Sequence, residues 1–291
     1  MDQRLRTILQ TTLALIAFAA NSILCRMALG STAIDPASFS TIRLVSGAVM
    51  LWAIMKITAG AGATRHSGSW ISAAMLFLYA VAFSFAYVSL DAGMGALILF
   101  GSVQATMISF GLSKGERPHL LTWCGLLLAL AGLVYLVLPG LEAPSFSGAA
   151  LMTVAGFAWG VYSLRGMGVA NPVAVTTDNF LRSVPLTAVV SLILLPGMKL
   201  SSAGVLLAIL SGALTSGIGY VLWYTALQNL SATRAAMLQL LVPVIAALGG
   251  VLMLSEQITL RLVLAGVLIV GGVGLTLVFR NRKQVPASDR D

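Results

Sequence analysis

The chain has 291 residues, 58% of them hydrophobic and 9% charged, and a mean hydropathy of +0.97. A soluble domain carries roughly 25% charged residues, so this composition excludes a water-covered globule. The 29 glycines and 9 prolines show no repeat period, which excludes a fibrous or disordered chain. A net charge of +8 would suggest nucleic acid in a soluble protein. In a membrane protein it reads first as a topology signal, and no nucleic-acid partner is expected.

In chain order, apolar runs fall at 7–25, about 37–57, 67–90, 92–113, 120–141, 143–164, about 175–196, 200–233, 235–255 and 262–279. Arg43 interrupts the second run and Arg182 the seventh. Each is long enough for a helix across a hydrocarbon core of about 30 Å. None alternates with period two as a barrel strand would. The expected fold is an all-α polytopic membrane protein of ten transmembrane helices. Short links, Leu90-Asp91-Ala92 and Gln228 to Thr233, make successive helices antiparallel. The first run is too long for a signal-peptide core, so no cleavable leader is expected. Cys25 and Cys124 lie inside apolar runs and read as packed thiols.

Placing the N-terminus in the cytoplasm sorts the cations. Arg4, Arg6, Lys56, Arg65, Lys114, Arg117, Arg165, Arg234, Arg280, Arg282, Lys283 and Arg290 fall inside, and Arg26, Lys199 and Arg261 outside. Twelve against three is a positive-inside bias that puts both termini in the cytoplasm. The tail Arg280-Asn281-Arg282-Lys283 reads either as a stop signal or as a contact with anionic lipid.

The chain repeats itself once. The segment Phe18-Ala19 through Leu24-Cys25-Arg26 matches Phe157-Ala158 through Ser163-Leu164-Arg165 at an offset of 139 residues, and Arg43 and Arg182 keep that offset. Asp35-Pro36 and Asn171-Pro172 open the corresponding spans, Tyr87 and Leu90 correspond to Tyr224 and Leu227, and Glu116 to Glu256. Each glutamate has a glycine sixteen residues on, Gly132 and Gly272. The unit is five helices, an odd number, so the second copy inserts upside down. Two inverted five-helix repeats around a central cavity is an architecture of alternating-access transporters. The expected units are residues 1–141, residues 142–280 and a basic cytoplasmic tail, 281–291.

Phe157-Ala158-Trp159-Gly160, Gly115-Glu116-Arg117-Pro118, Pro243 and Ser255-Glu256-Gln257, followed by Gly266 and Gly271-Gly272, resemble the EamA family of the drug/metabolite transporter superfamily. The resemblance covers about residues 7–280 and, within the family, is strongest to aromatic-amino-acid exporters. It implies a basket of ten helices, with spans 5 and 10 set aside from the central cavity. It also implies export across the bacterial inner (plasma) membrane. Ser255-Glu256 departs from the Gly115-Glu116 of the first half.

Candidate functional residues are the polar and aromatic ones inside apolar runs. No Walker loop and no HExxH occurs, so neither an enzyme, a metal site nor a cofactor is expected. Asn21, Gln104 and Gln239 are mid-span amides that must face the bundle interior, as substrate ligands or as bonds between helices. Tyr79 and Phe83 share a stripe of span 3, and Trp159 and Tyr162 one of span 6. They read as walls of a cavity for flat apolar rings or as ordinary packing. Arg43 and Arg182 either recognise a carboxylate and gate a mouth, or lock helices, with Asp178 placed to pair with Arg182 at i,i+4. Pro185 and Pro243 read as hinges or fixed bends. The expected protein is a monomeric secondary transporter in a lipid bilayer. It would export small amphipathic substrates, aromatic amino acids first. A permease for another metabolite and a passive channel remain open.

Overall fold

The structure is a computed structural model and describes residues 3–59, 68–113, 120–138, 143–230, 235, 238–239 and 241–280. The described chain is helical apart from connecting segments and one isolated bridge, Ile34 with Leu200. Helices satisfy every backbone group within one segment, which hydrocarbon requires. The ten helices among the described residues are α1 Gln3–Gly30, α2 Pro36–Ala59, α3 Trp70–Ala86, α4 Ala92–Ser113, α5 Leu120–Val137, α6 Phe146–Gly166, α7 Pro172–Ile193, α8 Ser202–Leu227, α9 Leu241–Leu254 and α10 Leu260–Arg280. By length and composition, α1, α2, α4, α6 and α8 are each able to cross a membrane.

Local chemistry sets several starts. Asn171 accepts from Ala174 N ahead of Pro172, and Asp35 accepts from Ser38 N ahead of Pro36. A capping side chain followed by proline at the first helical position satisfies the free N–H groups and presets φ. Ser69, Ser145 and Ser201 cap α3, α6 and α8 by their hydroxyls alone, without the proline. Helix α3 ends at Ala86, earlier than its apolar run suggested, and Arg26 donates to the Tyr87 and Val88 carbonyls just past that end. Pro185 lies inside α7, and Pro243 is buried near the start of α9.

The principal packing pairs join the first five helices to the last five. Helix α1 packs on α8 and α9, α2 on α7 and α8, α3 on α6 and α7, α4 on α6 and α9, and α5 on α10. Small residues permit the closest approaches. A Cβ on Gly156 would stand 2.5 Å from the Leu99 carbonyl oxygen, and one on Gly160 2.9 Å from Thr106 Cβ, so this glycine pair seats α6 on α4. A Cβ on Gly212 would collide with the Arg43 carbonyl oxygen, so α8 crosses α2 there. Residues Ser211–Ile218 of α8 form a π-helical stretch at that crossing.

Two sets of contacts close the ends of the bundle. At one end, Asp35 N donates to the Lys199 carbonyl at 3.0 Å, Ser201 N donates to the Ala33 carbonyl at 3.0 Å, and Arg26 reaches Asp91 at 3.2 Å and Glu256 at 3.4 Å. At the other, Asp178 accepts from Gly68 N at 2.8 Å and Arg182 at 3.0 Å, and Arg165 donates to Ser69 and Ser72. The outer wall is apolar: Ile57, Leu252 and Val267 are exposed. Trp52, Trp70 and Trp123 are exposed on that wall, whereas Tyr87 is wholly buried and donates to the Ala92 carbonyl. Cys25 is packed, whereas Cys124 is exposed on α5. Helix α5 must therefore present that face outward.

Candidate functional site

Arg43 lies two turns into α2 and is 1% exposed. Its Nε donates to Ser216 Oγ at 3.0 Å, and its Nη2 to Tyr79 OH at 3.2 Å and Tyr220 OH at 3.0 Å. The guanidinium carbon stands 5.2 Å from the Tyr79 ring centre and 5.1 Å from that of Phe83. A guanidinium in hydrocarbon is costly unless held by hydrogen bonds and ring faces, and here both hold it. Elements α2, α3 and α8 supply the cradle.

Asn21 of α1 extends it. Its Nδ2 donates to Tyr79 OH at 3.3 Å, and its Oδ1 accepts from Ser211 Oγ at 2.7 Å and Thr215 Oγ1 at 3.2 Å. Those hydroxyls and Ser216 come from the π-helical stretch, whose wider turn delivers three neighbouring polar side chains to one place. Trp159 of α6 donates to Gln239 Oε1 at 3.4 Å and packs on Tyr220 at 4.7 Å and Tyr79 at 5.0 Å between ring centres. Phe18 of α1 meets Trp159, Tyr220 and Trp223 edge-on at 5.5, 5.9 and 5.6 Å. Tyr162 continues the cluster, 5.7 Å from Trp159 and 5.5 Å from Tyr224.

The structure therefore gathers Asn21, Tyr79, Phe83, Trp159, Tyr162 and Gln239 around Arg43, and closes over them: none exceeds 4% exposure. Gln104 is equally buried on α4. Arg182 and Asp178 stand apart at one end, where Arg182 also stacks on Trp70 at 5.3 Å. Pro243 lies instead beside an apolar groove of about 550 Å³ that opens sideways between α4, α9 and α10. Phe18, Ser211, Thr215 and Ser216 complete the cluster with Tyr220, and those four were absent from the candidates. For the three hydroxyl residues the signal was present as a stripe in one span, Ser211, Thr215 and Ser216 at helical spacing with Tyr220. Glu116, the counterpart of Glu256, lies outside the described residues.

Two carboxylates outside the spans have shifted titrations. Burial pushes the Glu256 carboxyl up, against the Ala92 N–H and Arg26, and it titrates above its ordinary value. Burial also acts to raise Asp35, but the N–H groups of Ser38 and Lys199 outweigh it and hold that carboxyl below its ordinary value.

An aromatic, hydrogen-bonded, closed core inside apolar helices suits binding rather than bond chemistry. Residues 146–278 match the EamA-like transporter family. An uncharacterized protein of Pseudomonas aeruginosa is 50% identical over 94% of this chain and 96% of its own length. The chain belongs to the EamA-like transporter family. It is also similar to an uncharacterized transporter of Archaeoglobus fulgidus, 27% identical over 93% of this chain and 97% of its own, and to the uncharacterized transporter YoaV of Bacillus subtilis, 26% identical over 88% and 92%. A crystal structure of a protein 20% identical superposes with a TM-score of 0.68 over 94% of this chain and 99% of that one, which establishes the fold. This EamA-like chain is a multi-pass membrane transporter.

Proposed function

We propose that this transporter exports small amphipathic metabolites, aromatic amino acids first among them, across the bacterial inner membrane by alternating access. The carrying observation is the composition of the core. Tyr79, Trp159, Tyr220 and Phe18 offer ring faces and edges, while Arg43, Asn21 and Gln239 offer polar anchors within the same cluster. Stacking and edge contacts suit a flat apolar ring, and the polar groups suit its hydrophilic end.

The packing pairs support two halves related by a two-fold axis. Exchanging each helix for the one five places on turns α1–α8 into α3–α6, α1–α9 into α4–α6 and α2–α8 into α3–α7, and leaves α2–α7, α4–α9 and α5–α10 unchanged. Ten spans with both termini cytoplasmic follow from that symmetry and the lysine and arginine bias. The end held by Asp35 and Glu256 is then the outer mouth, and the end held by Asp178 the inner one. The chain acts alone, as a monomer without enzymatic activity. Residues 1–141 and 142–280 rock about the core, with Pro185 and Pro243 as hinges and residues 281–291 as the cytoplasmic tail.

Proteoliposomes holding the full chain should move labelled phenylalanine or tryptophan faster than empty vesicles, with saturation. Flux no greater than through empty vesicles would sink the substrate assignment. Linear, unsaturable flux would indicate a channel.

A further inference from the structure

Three buried hydrogen-bond donors of the core have no acceptor among the described residues: Arg43 Nη1, Gln239 Nε2 and Trp223 Nε1. Guanidinium, primary amide and indole nitrogens donate and cannot accept. They belong to one cluster, since Trp159 touches Gln239 and Tyr220, Tyr220 binds Arg43, and Phe18 links Trp159 to Trp223. The Tyr162 hydroxyl of the same cluster is unpartnered too, but a hydroxyl can donate as well as accept, so one kind of group, an acceptor, can meet all of these atoms.

Charge leads to the same conclusion. The described acidic residues are Asp35, Asp91, Asp178 and Glu256, and each is engaged at an end of the bundle. Arg43 meets hydroxyls of Ser216, Tyr79 and Tyr220 and the faces of Tyr79 and Phe83, which orient a guanidinium but bring no formal negative charge. Arginine does not give up its proton in a protein. Among the described residues, the closed core thus holds a cation with no formal counter-charge in a low-dielectric setting, where a counter-charge is worth most.

We propose that the core selects its substrate by the carboxylate: an anionic or zwitterionic acid docks its carboxylate on Arg43 Nη1 while its apolar group lies against Trp159 and Tyr220. The inference rests on the core being the substrate site and deepens that reading from ring recognition to charge recognition. An amine of the same ring would set a second cation beside Arg43. A neutral amide would leave the charge unbalanced.

The test is competition in full-chain proteoliposomes with two matched scaffolds: phenylalanine, phenylalaninamide and phenethylamine, and leucine, leucinamide and isoamylamine. On whichever scaffold is moved, the acid should exceed amide and amine on the order of 10- to 100-fold, the range of a hydrogen bond to a charged group. Arg43→Gln, checked for folding by size exclusion and thermal unfolding, should lose that preference, and Arg43→Lys should keep part of it. Amide or amine competing as well as the acid in the unmutated protein overturns the proposal, as does a folded Arg43→Gln that still prefers the acid. Movement of leucine but not phenylalanine, with the acid preferred, overturns the aromatic assignment alone. Equal movement of phenylalanine and phenethylamine overturns the carboxylate alone. No movement on either scaffold overturns both.

Discussion

Arg43 and Arg182 stand 139 residues apart at matching places in the sequence repeat, yet the fold treats them differently. Arg43 is sealed among hydroxyls and rings with no described acid beside it. Arg182 is partly exposed at one end, paired with Asp178 one turn back and stacked on Trp70. In α7, Phe180 is wholly buried and stands 5.8 Å from Tyr220. Symmetry of sequence therefore does not carry over into symmetry of chemistry. One arginine is left with unmet bonding capacity, and the other is neutralised.

The widest separation should come from removing each charge in turn. Arg43→Gln is expected to cut substrate flux at least 10-fold, about 1.4 kcal/mol or more of lost binding or transition-state stabilisation. Arg182→Gln should leave flux within about twofold, because a partly solvated pair contributes little. Initial rates in proteoliposomes at matched protein content measure both. Equal losses would collapse the distinction between core and end.

Tyr79→Phe probes the core without removing its charge. The hydroxyl accepts from both Arg43 Nη2 and Asn21 Nδ2. Its loss leaves two buried donors short of a partner, and stability should fall by about 1–3 kcal/mol. Thermal unfolding in detergent reads this directly. An unchanged midpoint would mean that the Arg43–Tyr79–Asn21 network does not hold the core together.

Much of this arrangement was legible beforehand, for a simple reason. Charges are so rare in the chain that they mark helix ends, and polar residues in apolar runs have no comfortable place except the interior. Asn21, Trp159 and Gln239 were legible on that ground. What stayed hidden was which face of each helix points inward. In a soluble helix the polar face identifies the outside, but here lipid and core are both apolar. Tyr87 and Trp52 therefore look alike in sequence, although one is fully buried and the other exposed. The same ambiguity hid Phe18, and it placed Cys124 indoors. The π-helical stretch was hidden too: it coincides with the Gly212 crossing over α2, a contact 166 residues from its partner, Ser46.

A smaller effect is expected at the end pair itself. Arg182→Gln should shift thermal stability by no more than about 1 kcal/mol, since the exposed side of the pair is screened and Asp178 retains the Gly68 N–H. A loss of several kcal/mol would show that this end, not the core, is the structural keystone.

The finest contrast is with pH. The core around Arg43 contains no described carboxylate, so acid should act through the ends, and the two shifted carboxylates there should respond in opposite senses. Glu256 titrates above its ordinary 4.5 while closed against Ala92 N and Arg26. Relative to an opened state in water, its contribution is fully present below 4.5 and is lost as pH rises through the raised value. Asp35 titrates below its ordinary 3.8 while bound by Ser38 and Lys199 N–H. Its contribution is present above 3.8 and is lost only as pH falls through the lowered value. Thermal midpoints should thus rise modestly as pH falls from neutral toward 4.5, then fall once Asp35 takes up its proton. Glu256→Gln should erase the rise and leave the acid fall, and Asp35→Asn should do the reverse. If Glu256→Gln leaves the whole profile unchanged, the closure at that end does not depend on this carboxylate, and its hold on α4 is one of shape rather than charge.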